Sequence, residues 1–397
     1  IPKAIYYFRL VADQNNCEAQ YFLGMIYMKE PQFRDINKGI HYLTLSANQN
    51  FSEAQLELAF IYEEGRYVSR NINKAISYYE KSAKQNNSTA LNSLGLLYNE
   101  GFYVKKDIEK AIHYFSQAAQ LKNKDALFNL ALFYIEGKYV KYDINKGIQY
   151  LTLAAEQGLI IAQFYLGIIY QGEKYVKRDI QKAIYYYTLA AKQNDAKSQH
   201  NLGHIYYEGK YVPRDINKSI YYWQLAADQK LVNSYNILAH IFYHGLYIAK
   251  DINKAIHYLT LAAQQNDSNA QYNLGNLYYD DKNVPCDIEK AIYYLQLSAS
   301  QKNKKALYIL GNIYENGKYV NRDIEKALYY YQSSANQYYP DALLSLGYIY
   351  ISGKYVPVDI NKAMHYYQLA VNQNNKIALF NLAQIYYYNS FGKKDVK

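Results

Sequence analysis

The amino-acid sequence predicts an all-α fold, a right-handed α-solenoid of stacked antiparallel helix pairs with about eleven pairs in 397 residues. The main observation behind this prediction is an anchor aspartate, usually within Asp-Ile, that returns every 36 residues without slippage. The slot holds Asp35, Asp107, Asp143, Asp179, Asp215, Asp251, Asp287, Asp323, Asp359 and Asp395, and Asn71 fills the one gap. Such a period is typical of proteins whose repeats are single helical hairpins.

The first helix of each repeat, helix A, is predicted from hydrophobic spacing. In residues 90–98, apolar or small residues fall at i, i+4, i+5, i+7 and i+8, which is helical rather than strand periodicity. Gly101 follows and can adopt the left-handed conformation that ends a helix.

The second helix, helix B, begins after the anchor. Asp107 is expected to be its N-cap, because the carboxylate accepts free backbone N–H groups and suits the positive end of the helix. Ala111, Ile112, Phe115 and Ala119 then share one face. Tyrosines of both helices are expected to form ladders in the core, and the repeated lysine of helix B (Lys110 in this repeat) is expected at the helix surface.

The turn after helix B closes at a slot that favours positive φ, since Asn and Gly tolerate that conformation best. Its residues are Asn50, Asn86, Gly158, Asn194, Asn266 and Asn374. Four repeats depart from this chemistry, and we expect their turns to be less regular. These departures are Lys122, Lys230, Lys302 and Tyr338.

Composition limits which classes of protein and of binding site are possible. Half of the residues are apolar, which is enough for a continuous core, and no apolar run approaches the roughly 18 residues of a membrane span. The net charge of +10 permits an acidic partner without requiring one. Cys17 and Cys286 lie more than seven repeats apart, so we expect no disulfide and no cysteine-based metal site.

Residues 1–397 are expected to form one continuous solenoid. The chain begins at Ile1 inside a repeat and ends with Lys393, Lys394 and Asp395, the opening of another, so we expect a fragment of a longer array. The sequence does not establish the compartment; the cytoplasm is favoured and the lumen of the secretory pathway stays possible.

Taken together, these slots resemble the Sel-one-like repeat, a TPR-like repeat related to the tetratricopeptide family. In one repeat the pattern consists of Ala90, Leu94, Gly95, Tyr98, Gly101, Tyr103, Val104, Asp107, Lys110, Ala111, Tyr114, Ala118 and Ala119. The resemblance covers essentially the whole chain. The loop reads Gly-Lys-Tyr-Val where the family usually has Gly-x-Gly-Val. Two repeats look weakened: Asp281 and Asn283 replace the loop Gly and Tyr in one, and Glu173 displaces the Gly to Gly172 in the other.

The resemblance implies a non-catalytic adaptor. Relatives hold membrane-anchored ubiquitin-ligase components, activate chitin synthase, or mediate bacterial contact with host proteins. A cysteine-rich branch, some of whose members bind β-lactams, has a disulfide in each repeat; this chain lacks those pairs, so that activity is not carried over. No phosphate-binding loop or hydrolase motif is present. We therefore predict a protein–protein interaction scaffold without cofactor or metal, and not an enzyme.

Two other functions stay open. The chain could be a structural spacer subunit of a large assembly that contacts its neighbours through A–B loop edges and terminal repeats. A basic surface for nucleic acid or acidic membrane is a third reading, and nucleic acid is disfavoured.

In such solenoids helix A normally lines the concave face, so its variable slots are candidates for partner recognition, although drift at exposed positions would also vary them. One slot runs Phe60, Leu96, Leu132, Ile168, His204, His240, Asn276, Asn312, Tyr348, Gln384. A slot one turn earlier runs Leu56, Asn92, Phe128, Phe164, His200, Asn236, Tyr272, Tyr308, Leu344, Phe380. A slot one turn later runs Glu63, Asn99, Ile135, Gln171, Tyr207, Tyr243, Tyr279, Glu315, Ile351, Tyr387.

The first slot changes from apolar to mostly polar near residue 200, and tyrosine is a frequent interface residue. The predicted partner-binding residues are His200, His204, Tyr207, His240, Tyr243, His244, Tyr272, Asn276, Tyr279, Asn312 and Tyr348. The histidine pairs at i, i+4 could hold a metal or act as a pH-sensitive contact, but no carboxylate or cysteine completes a set, so groove polarity is favoured. The other histidines, His41, His113, His257 and His365, share a helix B slot that is expected to be solvated.

The A–B loops contain a tyrosine beside basic residues in most repeats. The tyrosines are Tyr67, Tyr103, Tyr139, Tyr175, Tyr211, Tyr247, Tyr319 and Tyr355. Interleaved basic and aromatic residues can bind nucleic acid or anionic surfaces. The favoured alternative is that each tyrosine packs over the glycine turn while the Lys and Arg side chains are solvated.

Overall fold

The structure of the protein is a computed structural model that describes residues 1–280 and 282–391, with side chains as far as residue 387. This part of the chain contains 22 α-helices, one short 3-10 helix (Pro31–Phe33) and no strand. The predicted all-α fold and its 36-residue repeat are therefore confirmed. Asp281 and the last anchor residue, Asp395, lie outside the described residues.

Each repeat is a helical hairpin made of a helix A and a helix B. The A helices are α2 (Cys17–Lys29), α4 (Ser52–Glu64), α6 (Ser88–Glu100), α8 (Lys124–Glu136), α10 (Ile160–Gln171), α12 (Ala196–Glu208), α14 (Val232–His244), α16 (Ser268–Tyr279), α18 (Lys304–Asn316), α20 (Pro340–Ser352) and α22 (Lys376–Phe391). The B helices are α1 (Pro2–Ala12), α3 (Ile36–Asn48), α5 (Ile72–Ala83), α7 (Ile108–Gln120), α9 (Ile144–Glu156), α11 (Ile180–Lys192), α13 (Ile216–Asp228), α15 (Ile252–Gln264), α17 (Ile288–Ser300), α19 (Ile324–Ala335) and α21 (Ile360–Val371).

The helices form two compact units, Ile1–Leu202 and Gly203–Lys397. Consecutive helices pack against each other from α1 to α11 in the first unit and from α13 to α22 in the second. Continuity of one solenoid through both units stays a prediction.

The anchor residues are N-caps, as predicted. The Oδ1 atom of Asp107 accepts a hydrogen bond from the backbone N–H of Lys110 at 3.0 Å. The N–H of Asp107 itself donates to the carbonyl oxygen of Tyr98 at 3.0 Å, which ties the start of α7 to α6. Asn71 makes both bonds in the same way, because its amide oxygen replaces a carboxylate oxygen. The cap therefore sets the geometry of each A–B hairpin.

The turns after the B helices are more uniform than the sequence predicts. Asn86 and the other residues of its slot have positive φ, as expected. The prediction of less regular turns is wrong, because the departing residues adopt the same conformation: Lys122 (φ 60°), Lys230 (64°), Lys302 (62°) and Tyr338 (56°). The N–H of Lys122 donates to Ala119 O at 2.9 Å, as that of Asn86 does to Ala83 O. Packing of the flanking helices thus imposes a conformation that costs a non-glycine residue about 1 kcal/mol.

The centre of each hairpin holds one large side chain of helix B, eight residues after the anchor. This slot contains Leu43, Tyr79, Phe115, Leu151, Tyr187, Trp223, Leu259, Leu295, Tyr331 and Tyr367, all buried. In seven repeats a glycine of helix A faces it. A Cβ on Gly95 would lie 2.6 Å from the Phe115 ring, so the ring could not keep this position against a larger residue.

The tyrosine ladders lie at the edge of this core rather than inside it. Tyr98 and Tyr114 stack with ring centroids 5.9 Å apart, and both rings are half-buried. The Nζ atom of Lys110 lies 5.0 Å from the Tyr98 ring centroid, and it also lies 3.9 Å from the Asp107 carboxylate. The ladders are confirmed, but their place in the core interior is corrected; the lysine is at the surface, as predicted.

Candidate functional site

A pocket of about 190 Å³ lies between the A helices α14 and α16 in the second unit. Its apolar wall is formed by Ala239, Leu259 and Leu277, all buried. The polar and aromatic lining residues are Asn236, His240, Tyr243, His244, Tyr272, Asn273, Asn276, Asp280 and Asn283. Five of the predicted partner-binding residues therefore meet in one place: His240, Tyr243, His244, Tyr272 and Asn276.

One end of the pocket lies at the C-terminus of α16, where the chain departs from the repeat pattern. α16 ends at Tyr279, and its C-cap Asp280 is extended (φ −86°, ψ 108°). In α14 the C-cap is Gly245 in the left-handed conformation, with φ 67°. The weakened repeat near Glu173 behaves like α16, since α10 ends at an extended Gly172. Loss of the loop glycine thus ends helix A early, and in α16 it makes the Asp280 carboxylate a lining group.

Asn283 stands where most other loops have a tyrosine. In the neighbouring junctions that tyrosine packs edge-on against a helix A tyrosine: the Tyr207 and Tyr247 ring centroids are 5.9 Å apart, and those of Tyr279 and Tyr319 are 6.2 Å apart. The smaller Asn283 instead donates from Nδ2 to the Tyr243 hydroxyl at 3.1 Å. Its Oδ1 accepts from Lys250 Nζ at 2.6 Å. The space of the missing ring stays open beside Tyr243.

Two asparagines that line the pocket, Asn236 and Asn273, do not form a hydrogen bond with each other. Four repeats earlier, the same two slots hold Asn92 and Asn129, and Asn129 Nδ2 donates to Asn92 Oδ1 at 3.2 Å. In the pocket these slots hold Asn236 and Asn273. The Oδ1 atom of Asn236 is buried and has no hydrogen-bond partner among the described residues. A buried acceptor without a partner destabilises a protein by about 1–3 kcal/mol, so this atom favours a ligand with a donor.

The electrostatics of the pocket favour a neutral His240, and the lining contains one carboxylate. Partial burial, and then the neighbouring His244, hold the pKa of His240 below its ordinary value. The two imidazole centroids are 4.5 Å apart. Asp280 carries the one formal charge among the described lining residues at neutral pH. Its partner Lys282, 3.4 Å away, is largely exposed, so that ion pair is weak.

His204 and Tyr207 belong to a different cluster, around Trp223. The His204 ring lies edge-on to the indole with centroids 5.3 Å apart, and the Tyr207 ring is 5.5 Å away. Burial lowers the pKa of His204, although the nearby Glu208 partly opposes the shift. Both side chains are half-buried and pack on the core.

The other candidate residues are dispersed. Asn312 Oδ1 accepts a hydrogen bond from the buried Tyr331 hydroxyl at 2.7 Å. Tyr279 packs on Tyr319, and Tyr348 is 59% exposed. His200 is half-buried on α12 and belongs to the first unit.

Some variable residues of helix A accept hydrogen bonds from buried tyrosines of helix B. The buried hydroxyl of Tyr79 donates to the Glu63 carboxylate, and that of Tyr187 donates to Gln171 Oε1 at 2.7 Å. Burial, and then Glu63, raise the pKa of Tyr79. Glu315 likewise accepts from Tyr331 at 2.6 Å. These acceptors therefore depend on a tyrosine sixteen residues later, which is a structural reason for part of this slot's variability.

The A–B loops pair cations with rings. Lys138 Nζ is 5.1 Å from the Tyr139 ring centroid within one loop. Between repeats, Arg70 donates to the Tyr103 hydroxyl at 3.0 Å and lies 5.0 Å from its ring. Tyr103 is half exposed, and the side chain against Gly101 is that of Lys106. The expectation that the tyrosine covers the glycine turn is therefore wrong for this loop.

The helix B histidines are exposed, which confirms their place on a solvated face. Both cysteines are free. Among residues 1–280 and 282–391, no group of three or more His, Cys, Asp or Glu side chains is placed to hold a metal ion. No helix in the same part of the chain is long and apolar enough to cross a membrane.

Sequence reasoning missed four of the polar lining residues as site residues: Asn236, which appeared only as a member of a variable slot, Asn273, Asp280 and Asn283. The usable signal was the double departure at positions 281 and 283, which we interpreted only as a weakened repeat. No feature of the sequence indicates that Asn236 and Asn273 lack a mutual hydrogen bond, because the same two residue types form that bond in another repeat.

Comparison with known proteins identifies the repeat. The model of the Sel1 repeat matches residues 1–16, 17–51, 52–87, 88–123, 124–159, 160–195, 196–231, 232–267, 268–303, 304–339, 340–375 and 376–397. No curated protein matches the chain.

Two solved structures have similar sequences and folds. One is c5321, a protective antigen of uropathogenic Escherichia coli strains with an SLR fold; it is 26% identical, with a TM-score of 0.73, over 96% of this chain and 82% of that one. The other is a Sel1 repeat protein from Oxalobacter formigenes, 28% identical with a TM-score of 0.61, over 78% of this chain and 89% of that one.

Proposed function

Since the chain belongs to the Sel1 repeat family, we propose that it is a non-catalytic scaffold that binds a protein or peptide partner on the exposed residues of its A helices. Sel1 repeat proteins are generally protein-interaction scaffolds, and solenoids of this family are typically non-catalytic. The repeat itself explains this bias: most residues are committed to caps, turns and core, and only the free slots can acquire specificity.

The pocket between α14 and α16 is the observation that supports this proposal most. It brings together residues from two successive A helices, and its lining mixes aromatic rings with amide groups. Protein-binding sites commonly combine such aromatic contact area with a few oriented polar groups. His240 and His244 are also exposed beside it, so a partner could reach the pocket from solvent.

A spacer subunit is the second candidate, and the A–B loops support it. Exposed rings such as Tyr103 and Tyr247 lie beside Arg or Lys side chains in successive loops. A neighbouring subunit could contact this edge without touching the A helices.

Site-specific photo-crosslinking tests which surface is used. A photoreactive residue is placed at His240 on helix A, at His257 on helix B or at Tyr103 in a loop, all of which are exposed. The full chain is then irradiated in the cells from which it comes, and adducts are identified by mass spectrometry. We expect one discrete adduct from His240 and none from the helix B control. Adducts from Tyr103 alone would favour the spacer, and the absence of a specific adduct at His240 would contradict our proposal.

A further inference from the structure

We propose that the pocket between α14 and α16 receives the guanidinium group of an arginine side chain of the partner. This inference rests on the proposed function and specifies the chemistry of the segment that is bound. Three properties of the pocket support it: its shape, its unpaired acceptor and its charge.

The recess can be compared with an equivalent junction of the repeat that is filled by aromatic rings. Four repeats earlier, the equivalent junction between α6 and α8 contains Phe115, Phe133 and Tyr139, whose rings contact in series at 6.2 Å and 6.1 Å between centroids. The corresponding residues at the pocket are Leu259, Leu277 and Asn283. Each is smaller than its counterpart, and together they leave a recess of about 190 Å³, large enough for one long side chain rather than for a folded element.

The unpaired acceptor can be satisfied by a donor of a bound ligand. Asn236 Oδ1 is buried at the wall of the recess without a hydrogen-bond partner among the described atoms. The guanidinium group has five N–H donors in one plane and no acceptor. It can therefore satisfy Asn236 while other N–H groups reach the amide oxygens of Asn273 and Asn276, which line the same recess.

The one charged lining residue that the structure describes is an anion, Asp280. Three lysines flank the recess, since Lys282 pairs with Asp280, Lys250 contacts Asn283 and Lys305 lies over Tyr272, so a bound cation must displace at least the weak Lys282 pair. A guanidinium can bind a carboxylate through two parallel hydrogen bonds, which the weak surface pair with Lys282 does not prevent.

The tyrosine rings of the pocket already bind cations: Lys250 Nζ is 5.5 Å from the Tyr243 ring centroid, and Lys305 Nζ is 5.7 Å from that of Tyr272. An arginine that enters the recess must replace these ammonium groups on the rings. Guanidinium stacks on aromatic faces and is less strongly hydrated than an ammonium group. Arginine should therefore bind in preference to lysine.

The test uses the full chain and four fluorescent pentapeptides, Gly-Gly-X-Gly-Gly, in which X is arginine, lysine, citrulline or glutamine. Citrulline keeps the shape of arginine but lacks its charge. Fluorescence anisotropy is expected to show arginine binding about tenfold more tightly than citrulline, with lysine between them. Equal binding of arginine and citrulline, or of arginine and lysine, overturns the proposal.

Two variants locate the site. Asp280→Asn should weaken arginine-peptide binding about tenfold, whereas Glu136→Gln, which makes the same charge change at the same slot of α8, should leave it unchanged. Asn283→Tyr restores the usual loop residue and should abolish binding while circular dichroism and thermal unfolding show a folded chain. Unaltered binding by Asp280→Asn contradicts the assignment even if Asn283→Tyr fails to fold. A specific crosslink at His240 without arginine selectivity would sink this inference and leave the scaffold proposal standing; loss of the crosslink would sink the scaffold proposal itself.

Discussion

The junction between α6 and α8 and the junction between α14 and α16 are built from the same slots, yet one is filled and the other is open. At the first, Phe115, Phe133 and Tyr139 pack in series, and Asn129 bonds to Asn92. At the second, smaller residues fill the ring slots, and Asn236 keeps a buried acceptor unpaired beside a pocket of about 190 Å³. A strict repeat can therefore acquire a site through a few smaller side chains, without a change of backbone plan.

The helix N-caps of the two regions have the same geometry. Asp107 and Asp251 accept from the N–H groups of Lys110 and Lys254 at the same distance, 3.0 Å. Stability that depends on caps should thus be equal in both regions, and any difference should come from the junctions themselves. Because long repeat arrays do not unfold in one step, the proper measurement is local: hydrogen exchange of the backbone amides in each junction.

The largest effect is expected from removing the central side chain of the filled junction. Phe115→Ala should lower the local free energy of unfolding of α6–α8 by about 3–5 kcal/mol, because a fully buried ring leaves a cavity. Leu259→Ala should cost α14–α16 about 2–3 kcal/mol, since fewer atoms are lost and the site already borders open space. Hydrogen exchange resolves the two regions. Equal losses would show that the pocket does not alter packing.

Replacing Asn236 and replacing Asn92 should change local stability in opposite directions. Asn236→Leu removes a buried acceptor that has no partner in the described structure, and should stabilise α14–α16 by about 1 kcal/mol. Asn92→Leu removes a paired acceptor and leaves the Asn129 amide without its bond, and should destabilise α6–α8 by about 1 kcal/mol. Leucine already occupies this slot as Leu56 and Leu344, so the side chain suits the repeat. Changes of the same sign in both regions would refute the idea that Asn236 is unsatisfied.

The fold was predictable wherever it depends on short-range chemistry. Asp107 and Asn71 as caps and Gly101 as a helix end follow from residue type and position alone. The Lys122 turn was mispredicted because the flanking helices outweigh the residue's own preference.

The site was predictable only in part, for a related reason. His240, Tyr243 and Asn276 emerge as variable residues of a regular repeat, and they do line the pocket. Whether Asn236 pairs with Asn273 depends on side-chain geometry across two helices, which no periodicity encodes. His204 lies in a slot like that of His240, but its contact with Trp223 could not be read from a pattern.

The turns that precede α8 and α16 have different residues at the position of positive φ. Substituting these residues should change local stability by a smaller amount. Lys122 precedes α8 with φ 60°, and Asn266 precedes α16 with φ 62°. Lys122→Gly should stabilise α7–α8 by about 0.5–1 kcal/mol, because glycine avoids the strain of positive φ. Asn266→Gly should change α15–α16 by less, since asparagine already tolerates this conformation. Local exchange rates provide the measurement, and a destabilised Lys122→Gly variant would mean that the lysine side chain contributes contacts that outweigh its strain.

Acidification should produce the smallest difference between the two regions. Partial burial and His244 hold the pKa of His240 below its ordinary value of 6.5. The unfolded chain therefore binds more protons than the folded one between those two values. The stability of α14–α16 is then fully present above about pH 6.5 and is lost as the pH falls through the folded pKa. In α6 the same slot holds Leu96, so α6–α8 lacks this contribution. Hydrogen exchange, corrected for its intrinsic pH dependence, should show loosening confined to α14–α16. His240→Leu should remove most of that loosening, and a variant that loosens as much as the parent would assign the effect to another group.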